Sequence, residues 1–266
     1  MGSPVISIIT IVFNGEKHLE QTIRSVLDQT YRHIQYIIID GGSTDQSVNI
    51  IKKYEKDIYY WVSEKDKGIS DAFNKGIARA TGDVIGIINA DDWFEPDAFE
   101  RVAAQIADAD ICYGDIQLWK NEKRELIQKG NLQLLSREMT IHHATVFVKR
   151  EIYESYGGFD LQYRCAMDYD LLLRFKVNNC RFAYIPHILS NMRWGGFSDK
   201  FWKLGCRETL EIKNKYLPEN KLSNQLYYLK HLAAIRVAKT LSRFKLEFIT
   251  RVYRKLFSPI KKKYND

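Results

Sequence analysis

Val5 to Phe13 is apolar at almost every position, after which the period changes and Leu19, Ile23, Val26 and Leu27 recur at helical spacing. The chain then repeats that alternation. Ile34 to Asp40 predicts a second strand, Gly41-Gly42-Ser43-Thr44-Asp45 a turn with a Ser/Thr/Asp cap, and Val48, Ile51 and Tyr54 one face of a helix. Ile58 to Val62 predicts a short third strand, Ile69 to Ala80 a third helix, Asp83 to Asn89 a fourth strand, and Phe99, Val102, Ala103 and Ile106 the helix after it. Continuously apolar strands in strict alternation with helices predict an α/β fold, a mostly parallel sheet covered on both faces. Ligands of such sheets bind at the carboxyl ends of the strands. Phe13-Asn14, Asp40-Gly41, Glu64-Lys65-Asp66 and Asp91-Asp92 all fall at those ends, so four polar clusters are expected on one rim.

Beyond about residue 110 the order changes. Ile111 to Trp119, the segment around Leu126-Ile127, and Ala144 to Lys149 predict strands without helices between them, and Asp168 to Val177 a helix with Leu171, Leu172 and Phe175 inward. This is a mixed, partly antiparallel half. Helical spacing returns from Asp199 to Tyr216 and from Leu222 to Phe257. The expected organisation is one domain over 1–217, with halves of about 1–110 and 111–217, followed by a helical extension over 218–266.

Charge sharpens that last boundary. The chain of 266 residues has a formal net charge of +7, yet from Leu226 onward eleven Lys or Arg face only Glu247 and Asp266, so the body is close to neutral. A basic, aromatic-rich helical tail suits an anionic surface, each cation adding about 1 kcal/mol near anionic lipid. A solvated basic face on a helical hairpin is the plainer reading. Hydrophobic residues make up 45% of the chain, which fits a globular protein, and the apolar runs are far shorter than a membrane span. The N-terminus shows no charged n-region or cleavage site, so no secretion signal is expected. Cys112, Cys165, Cys180 and Cys206 stand far apart without a Cys-x-x-Cys pair, which argues for a reducing compartment and against zinc.

Asp91 and Asp92 end the apolar run Ile85-Gly86-Ile87-Ile88. Adjacent carboxylates repel unless a cation joins them to a third group, and Mg²⁺ or Mn²⁺ held by one or two carboxylates plus phosphate oxygens is such a set. Read as structure alone, either aspartate caps a helix starting near Pro96.

With Ser7-Ile8-Ile9-Thr10-Ile11-Val12-Phe13-Asn14-Gly15-Glu16, Ile38-Ile39-Asp40-Gly41-Gly42-Ser43-Thr44-Asp45, Asp66-Lys67-Gly68 through Asn74-Lys75-Gly76, and Asn89-Ala90-Asp91-Asp92 in this order, the chain resembles the family 2 glycosyltransferases over residues 5 to about 215. The resemblance implies a GT-A fold and an enzyme of bacterial polysaccharide, lipopolysaccharide or O-antigen type. It assigns Phe13, Asn14, Glu16 and Asp40 to the nucleoside, with Asp40 accepting from a base N–H in a manner that suits uracil. Asp40 is equally a turn former before Gly-Gly. Asp66, Lys67 and Gly68 would border the nucleotide sugar, and Asn74 would join them unless it belongs to an ordinary amphipathic helix. Asp91 and Asp92 would hold Mn²⁺ or Mg²⁺ between two phosphates, with Asp92 preferred for direct coordination. Asn89 departs from the commonest Asp-x-Asp form of this motif.

Sugar transfer also needs a base for the acceptor hydroxyl. Met167-Asp168 resembles the family's acidic motif, with Met167 in place of its usual acidic neighbour, which leaves Asp168 as the candidate base; a helix N-cap is its structural alternative. Asp170 reads as a helix-start charge favoured by the dipole. A single carboxylate base implies inversion. His142-His143 resembles the family's His-Gln pair, with His142 preferred as the residue touching phosphate or acceptor. Arg193-Trp194-Gly195-Gly196-Phe197-Ser198 resembles a flexible loop that closes over the diphosphate.

The implied activity is transfer of a hexose from a nucleotide sugar, UDP-linked, to a saccharide acceptor that a lipid could carry. That would place the chain in the cytoplasm at the inner face of the plasma membrane, with the tail as a peripheral membrane contact. Two other classes compete. A sugar nucleotidyltransferase would also carry an Asp-Asp metal site, but no Gly-rich basic loop for a triphosphate stands near Phe13. A non-enzymatic membrane or nucleic-acid binder would use the tail, but no nucleic-acid motif accompanies it.

Overall fold

The computed structural model describes residues 2–194 and 201–243. The chain divides into two compact units, 1–197 and 198–266. The break therefore precedes the helix Trp202–Tyr216 instead of following it at 217, as the hydrophobic pattern had suggested.

The first unit opens with strand β1 (Ile6–Val12), helix α1 (Leu19–Leu27), β2 (Ile34–Asp40), α2 (Ser47–Lys53), β3 (Tyr60–Ser63), α3 (Ile69–Arg79) and β4 (Val84–Asn89). The four strands pair in parallel in the order β3-β2-β1-β4. The order reverses around β1, which makes its carboxyl end the switch-point crevice where ligands of such sheets sit. Every residue of β4 up to Ile88 is buried, as a strand covered on both faces requires. The face of α2 differs from the expected one: Ser47, Ile50 and Ile51 are buried, while Val48 is only half-buried.

The mixed half comprises β5 (Trp93–Phe94), α4 (Ala98–Gln105), β6 (Ile111–Lys120), β7 (Lys123–Gln128), β8 (Val146–Lys149), α5 (Arg150–Tyr156), α6 (Met167–Val177) and β9 (Phe182–Arg193). It continues the same sheet: β8 lies antiparallel between β4 and β6, β9 runs parallel to β6, β5 closes the edge, and β7 hangs on β6. Asn121 and Glu122, with φ of 50° and 58°, form the two-residue β6–β7 turn, a conformation suited to strand twist. One hydrophobic core joins the halves, with Ile8, Ile38, Ile88, Phe94, Phe99 and Phe147 all buried in it.

In the second unit α7 (Trp202–Tyr216) and α8 (Lys221–Arg243) are joined by the turn Pro218–Asn220. The Asn224 amide donates to Asn214 Oδ1 at 3.2 Å, and the Lys213 ammonium lies 4.2 Å from the Tyr227 ring centre. The expected helix beyond Arg243 lies outside the described residues. No helix among the described residues is long and apolar enough to cross a membrane.

Candidate active site at the carboxyl rim

The loops after β1, β2 and β3 are fastened to each other by the side chains that the sequence singled out. Asp40 is fully buried at the last position of β2, in register with Val12 and Ser63. Its Oδ2 accepts from Gly42 N–H (3.1 Å), Ser43 N–H (2.9 Å) and the Ser63 hydroxyl (2.6 Å), and its Oδ1 from the Ser43 hydroxyl. This carboxylate builds the turn, as its place before Gly-Gly allows, and a base contact through Oδ1, which accepts from the Ser43 hydroxyl, is compatible with that role. Asn14 adopts a left-handed φ of 51° and accepts from Thr44 N–H at 2.8 Å, while its own N–H donates to the Ser43 hydroxyl at 2.8 Å. Glu16 accepts from Gln46 N–H at 2.8 Å. These two side chains clasp one loop to the next. Phe13 differs, being 65% exposed beside Gly41 and free to meet a flat ligand.

Asp66 lies so close to Gly41 that a Cβ at 41 would collide with its carboxylate, and it accepts from Gly68 N–H at 2.8 Å. Gly68 caps α3 with φ +119°, a conformation that a residue with a Cβ adopts only under strain. Lys67 is exposed on the same loop. Asn74 does not belong to this group. Its amide donates to Phe159 C=O and accepts from Phe159 N–H, both at 2.8 Å, so it fastens α3 to the loop before α6.

The turn after β4 splits the carboxylate pair. Asp92 N–H donates to Asn89 C=O at 3.1 Å, and the Thr22 hydroxyl of α1 lies 2.9 Å from Ala90 C=O and 2.6 Å from Asp92 C=O. Asp91 is left exposed, whereas Asp92 is 2% exposed and accepts from Arg193 N–H at 3.1 Å. Burial first, then the neighbouring Asp91 charge, push the Asp92 carboxyl up to about 8. Neither aspartate caps a helix, because Asp97 precedes α4. Among the described residues no three His, Cys, Asp or Glu side chains form a complete metal shell. The donor set still fits a cation that completes its shell with phosphate oxygens: an exposed carboxylate stands beside a buried one whose ionisation only a nearby positive charge would ease. Asp91 is the accessible carboxylate of the pair and Asp92 the buried one.

Arg193 is the final residue of β9, not part of a mobile loop. Its guanidinium donates to Gln21 Oε1 (2.7 Å), Asp91 C=O (2.5 Å) and Glu122 (3.2 Å), and lies 4.4 Å from the Trp93 ring centre. Trp194 is exposed, and Gly195 to Ser198 lie outside the described residues.

On the other side of β4, Asp168 is the second residue of α6, and Ala166 occupies the cap position, so Asp168 is not the N-cap. Its Oδ2 lies 3.1 Å from His143 Nδ1, and its Oδ1 is buried with no hydrogen-bonding partner among the described residues. His143 Nε2 in turn lies 3.4 Å from Asn89 Nδ2. Burial lowers the His143 pKa, but the charge and hydrogen bond of Asp168, with Asp92 and Asp91 behind them, outweigh it and leave the pKa raised. His142 points elsewhere. Its Nε2 is buried without a partner, and burial, followed by the neighbouring His143, lowers its pKa to about 4. His143 is thus the histidine of the pair that is hydrogen-bonded to Asp168. The turn His143–Thr145 interrupts the strand period, so sequence alternation gave no means of choosing between the two. Asp170 is fully buried and pairs with Arg174 at 3.2 Å, a stronger tie than a dipole preference.

Residues 7–168 match the sequence profile described as Glycosyl transferase family 2. The chain belongs to this family. An uncharacterized glycosyltransferase of Mycobacterium tuberculosis is 34% identical over 184 residues, covering 65% of this chain and 69% of its own length. A PGL/p-HBAD biosynthesis glycosyltransferase of the same species is 28% identical over 208 residues, covering 75% and 81%. Among solved structures, S. aureus TarS residues 1–349 in complex with UDP-GlcNAc matches with a TM-score of 0.64 at 15% identity, covering 85% of this chain and 71% of that one. In the longer TarS crystal structure this chain spans 42% of the length. The mannosyltransferase PcManGT of Pyrobaculum calidifontis, in complex with GDP-Man and Mn²⁺, matches at 0.65 and 18%, covering 99% and 84%. The fold of this family 2 glycosyltransferase is GT-A, and the chain is an enzyme of glycosyl transfer.

Proposed function

We propose that this glycosyltransferase moves a hexose from a nucleotide sugar, UDP-linked, to a saccharide hydroxyl with inversion, in cell-surface polysaccharide assembly. The observation that carries the reading is the buried, partnerless Oδ1 of Asp168, linked through His143 to the end of β4 two residues before Asp91. Donor-side and acceptor-side carboxylates thus share one strand end. Phe13 stacks on the base, Asp66, Lys67 and Gly68 border the sugar diphosphate, and Asp91, backed by Asp92, holds Mn²⁺ or Mg²⁺. That ion, when bound, neutralises charge developing on the diphosphate.

The remaining chemistry belongs to the chain. Asp168 Oδ1 takes the acceptor hydroxyl proton as that oxygen bonds to the anomeric carbon, and the carbon–phosphate oxygen bond breaks with its electron pair on the leaving diphosphate. The α7–α8 unit and the basic segment 226–263 serve a peripheral contact with an anionic membrane carrying a lipid-linked acceptor. Its support is a run of exposed Leu222, Leu226, Leu229 and Val237 along α8 next to the basic residues. Turnover of a UDP-sugar panel with Mn²⁺ or Mg²⁺, read by released UDP, tests the donor. NMR coupling at the new anomeric centre tests the stereochemistry: an α-linked donor giving an α-linked product removes Asp168 from its role.

A further inference from the structure

We propose that His143 is the positioning residue of the Asp168 base and that Asn89, at the end of donor strand β4, holds His143 in place. This rests on the reading of Asp168 as the base.

Three separate elements contribute to the arrangement: Asn89 ends β4, His143 opens a short turn, and Asp168 begins α6. The turn is fixed by Thr145, whose N–H and hydroxyl donate to His142 C=O at 2.9 and 2.8 Å. Against one side of the imidazole lies the Phe73 ring, 5.8 Å between centres, so the histidine has little room to rotate. Nδ1 then meets Asp168 Oδ2 at 3.1 Å and Nε2 faces Asn89 at 3.4 Å.

The consequence lies in which oxygen remains. With Oδ2 engaged, Asp168 keeps one acceptor, Oδ1, buried and partnerless among the described residues. A buried acceptor in that state is rare in a finished fold, and a ligand hydroxyl would complete it. His143 thus selects the oxygen that receives the acceptor proton. Asn89 suits its place because an amide offers either N–H or C=O to Nε2, whereas an aspartate could only accept and would fix the ring as a cation. This gives a physical role to the departure from Asp-x-Asp: the side chain at 89 serves the base. The titratable groups facing the pair are Asp91, Asp92, His142 and Tyr153.

The test is kinetic, with UDP affinity measured by calorimetry on each variant as the check of folding. His143→Ala is expected to lower kcat by about 100-fold at nearly unchanged donor KM, the low end of what a positioned base contributes. The loss should fall on kcat, with the acceptor KM also nearly unchanged. His143→Asn, whose amide reproduces the Nδ1 donor, should recover most of the rate, and Asn89→Ala should lower kcat by about tenfold. A His143→Ala kcat within about threefold of wild type overturns the proposal. So does a lost rate with no recovery in His143→Asn. If His143→Ala loses UDP binding, His143→Asn is compared with His143→Gln: activity in the first alone supports the Nδ1 role, and equal activity overturns it. Full activity in Asp168→Ala would instead remove the underlying reading, an outcome distinct from any result at 143.

Discussion

On the donor side of the rim, Asp40, Asn14, Glu16 and Asp66 all hydrogen-bond to neighbouring backbone, and the loops after β1, β2 and β3 are joined through them. On the acceptor side, Asp168 Oδ1 and His142 Nε2 are buried with no partner among the described residues. Buried polar groups are almost always satisfied, so the first arrangement is what folding alone favours and the second is sustained against a cost. The donor side is a finished scaffold whose side chains act through the backbone they hold. The acceptor side keeps unsatisfied atoms where a substrate hydroxyl can complete them. Substitutions on the two sides should therefore fail differently, one through stability and KM, the other through kcat.

The largest expected effect breaks the acceptor side. Asp168→Asn should lower kcat by roughly 10²- to 10⁴-fold while leaving the urea midpoint near that of wild type, because an amide oxygen still accepts from His143 Nδ1 and Oδ1 contributes nothing to the empty fold. A large fall in stability would show instead that Asp168 is part of the scaffold. On the donor side, Asp40→Ala strands Gly42 N–H, Ser43 N–H and the Ser63 hydroxyl. The expected cost is on the order of 3 kcal/mol in chemical denaturation, with a raised donor KM and a kcat that changes little.

The smallest effect sharpens the contrast through pH. His142 has a folded pKa of about 4 against an ordinary 6.5, so the unfolded chain binds the extra proton first. Its contribution to stability is complete above about 6.5 and is lost as pH falls through about 4, a span on the order of 3 kcal/mol. His142→Leu should flatten that part of the urea-midpoint profile, and an unchanged slope would mean that other groups cause it.

The parallel half was legible because its strands are covered on both faces and so consist almost wholly of apolar residues, as in Ile8-Ile9 and Ile37-Ile38-Ile39. The residues at the strand ends could be located for the same reason. Three elements of the mixed half escaped, the first being β5, a strand of two residues. Strand β9 reads as irregular because Pro186 and His187 fall where its register with β6 slips, which destroys the alternation expected of a half-buried strand. Helix α5, at seven residues, is too short for a periodic signal. Within the site, residue identity was readable but partnership was not. Asp40 and Asp91 are both aspartates at strand ends, and only packing shows that one is sealed within a turn and the other open to solvent. The different surroundings of His142 and His143 have the same origin, since a short helical turn removes the parity that would assign each to a face.

The slip in β9 has a reach of its own. Between its pairings with Gly114 and Ile116 of β6, β9 carries three residues more than its neighbour, Ile185 and Ser190 being the partners. An odd surplus turns the pleat over, so everything from Ser190 onward presents the opposite side from what an even ladder would give. The bond from Arg193 N–H to the buried Asp92 is therefore decided some eight residues earlier. Trimming a single residue from that bulge should leave a strand that still pairs yet turns the wrong edge toward the carboxylate, so spacing deep in the sheet governs the acid at its margin.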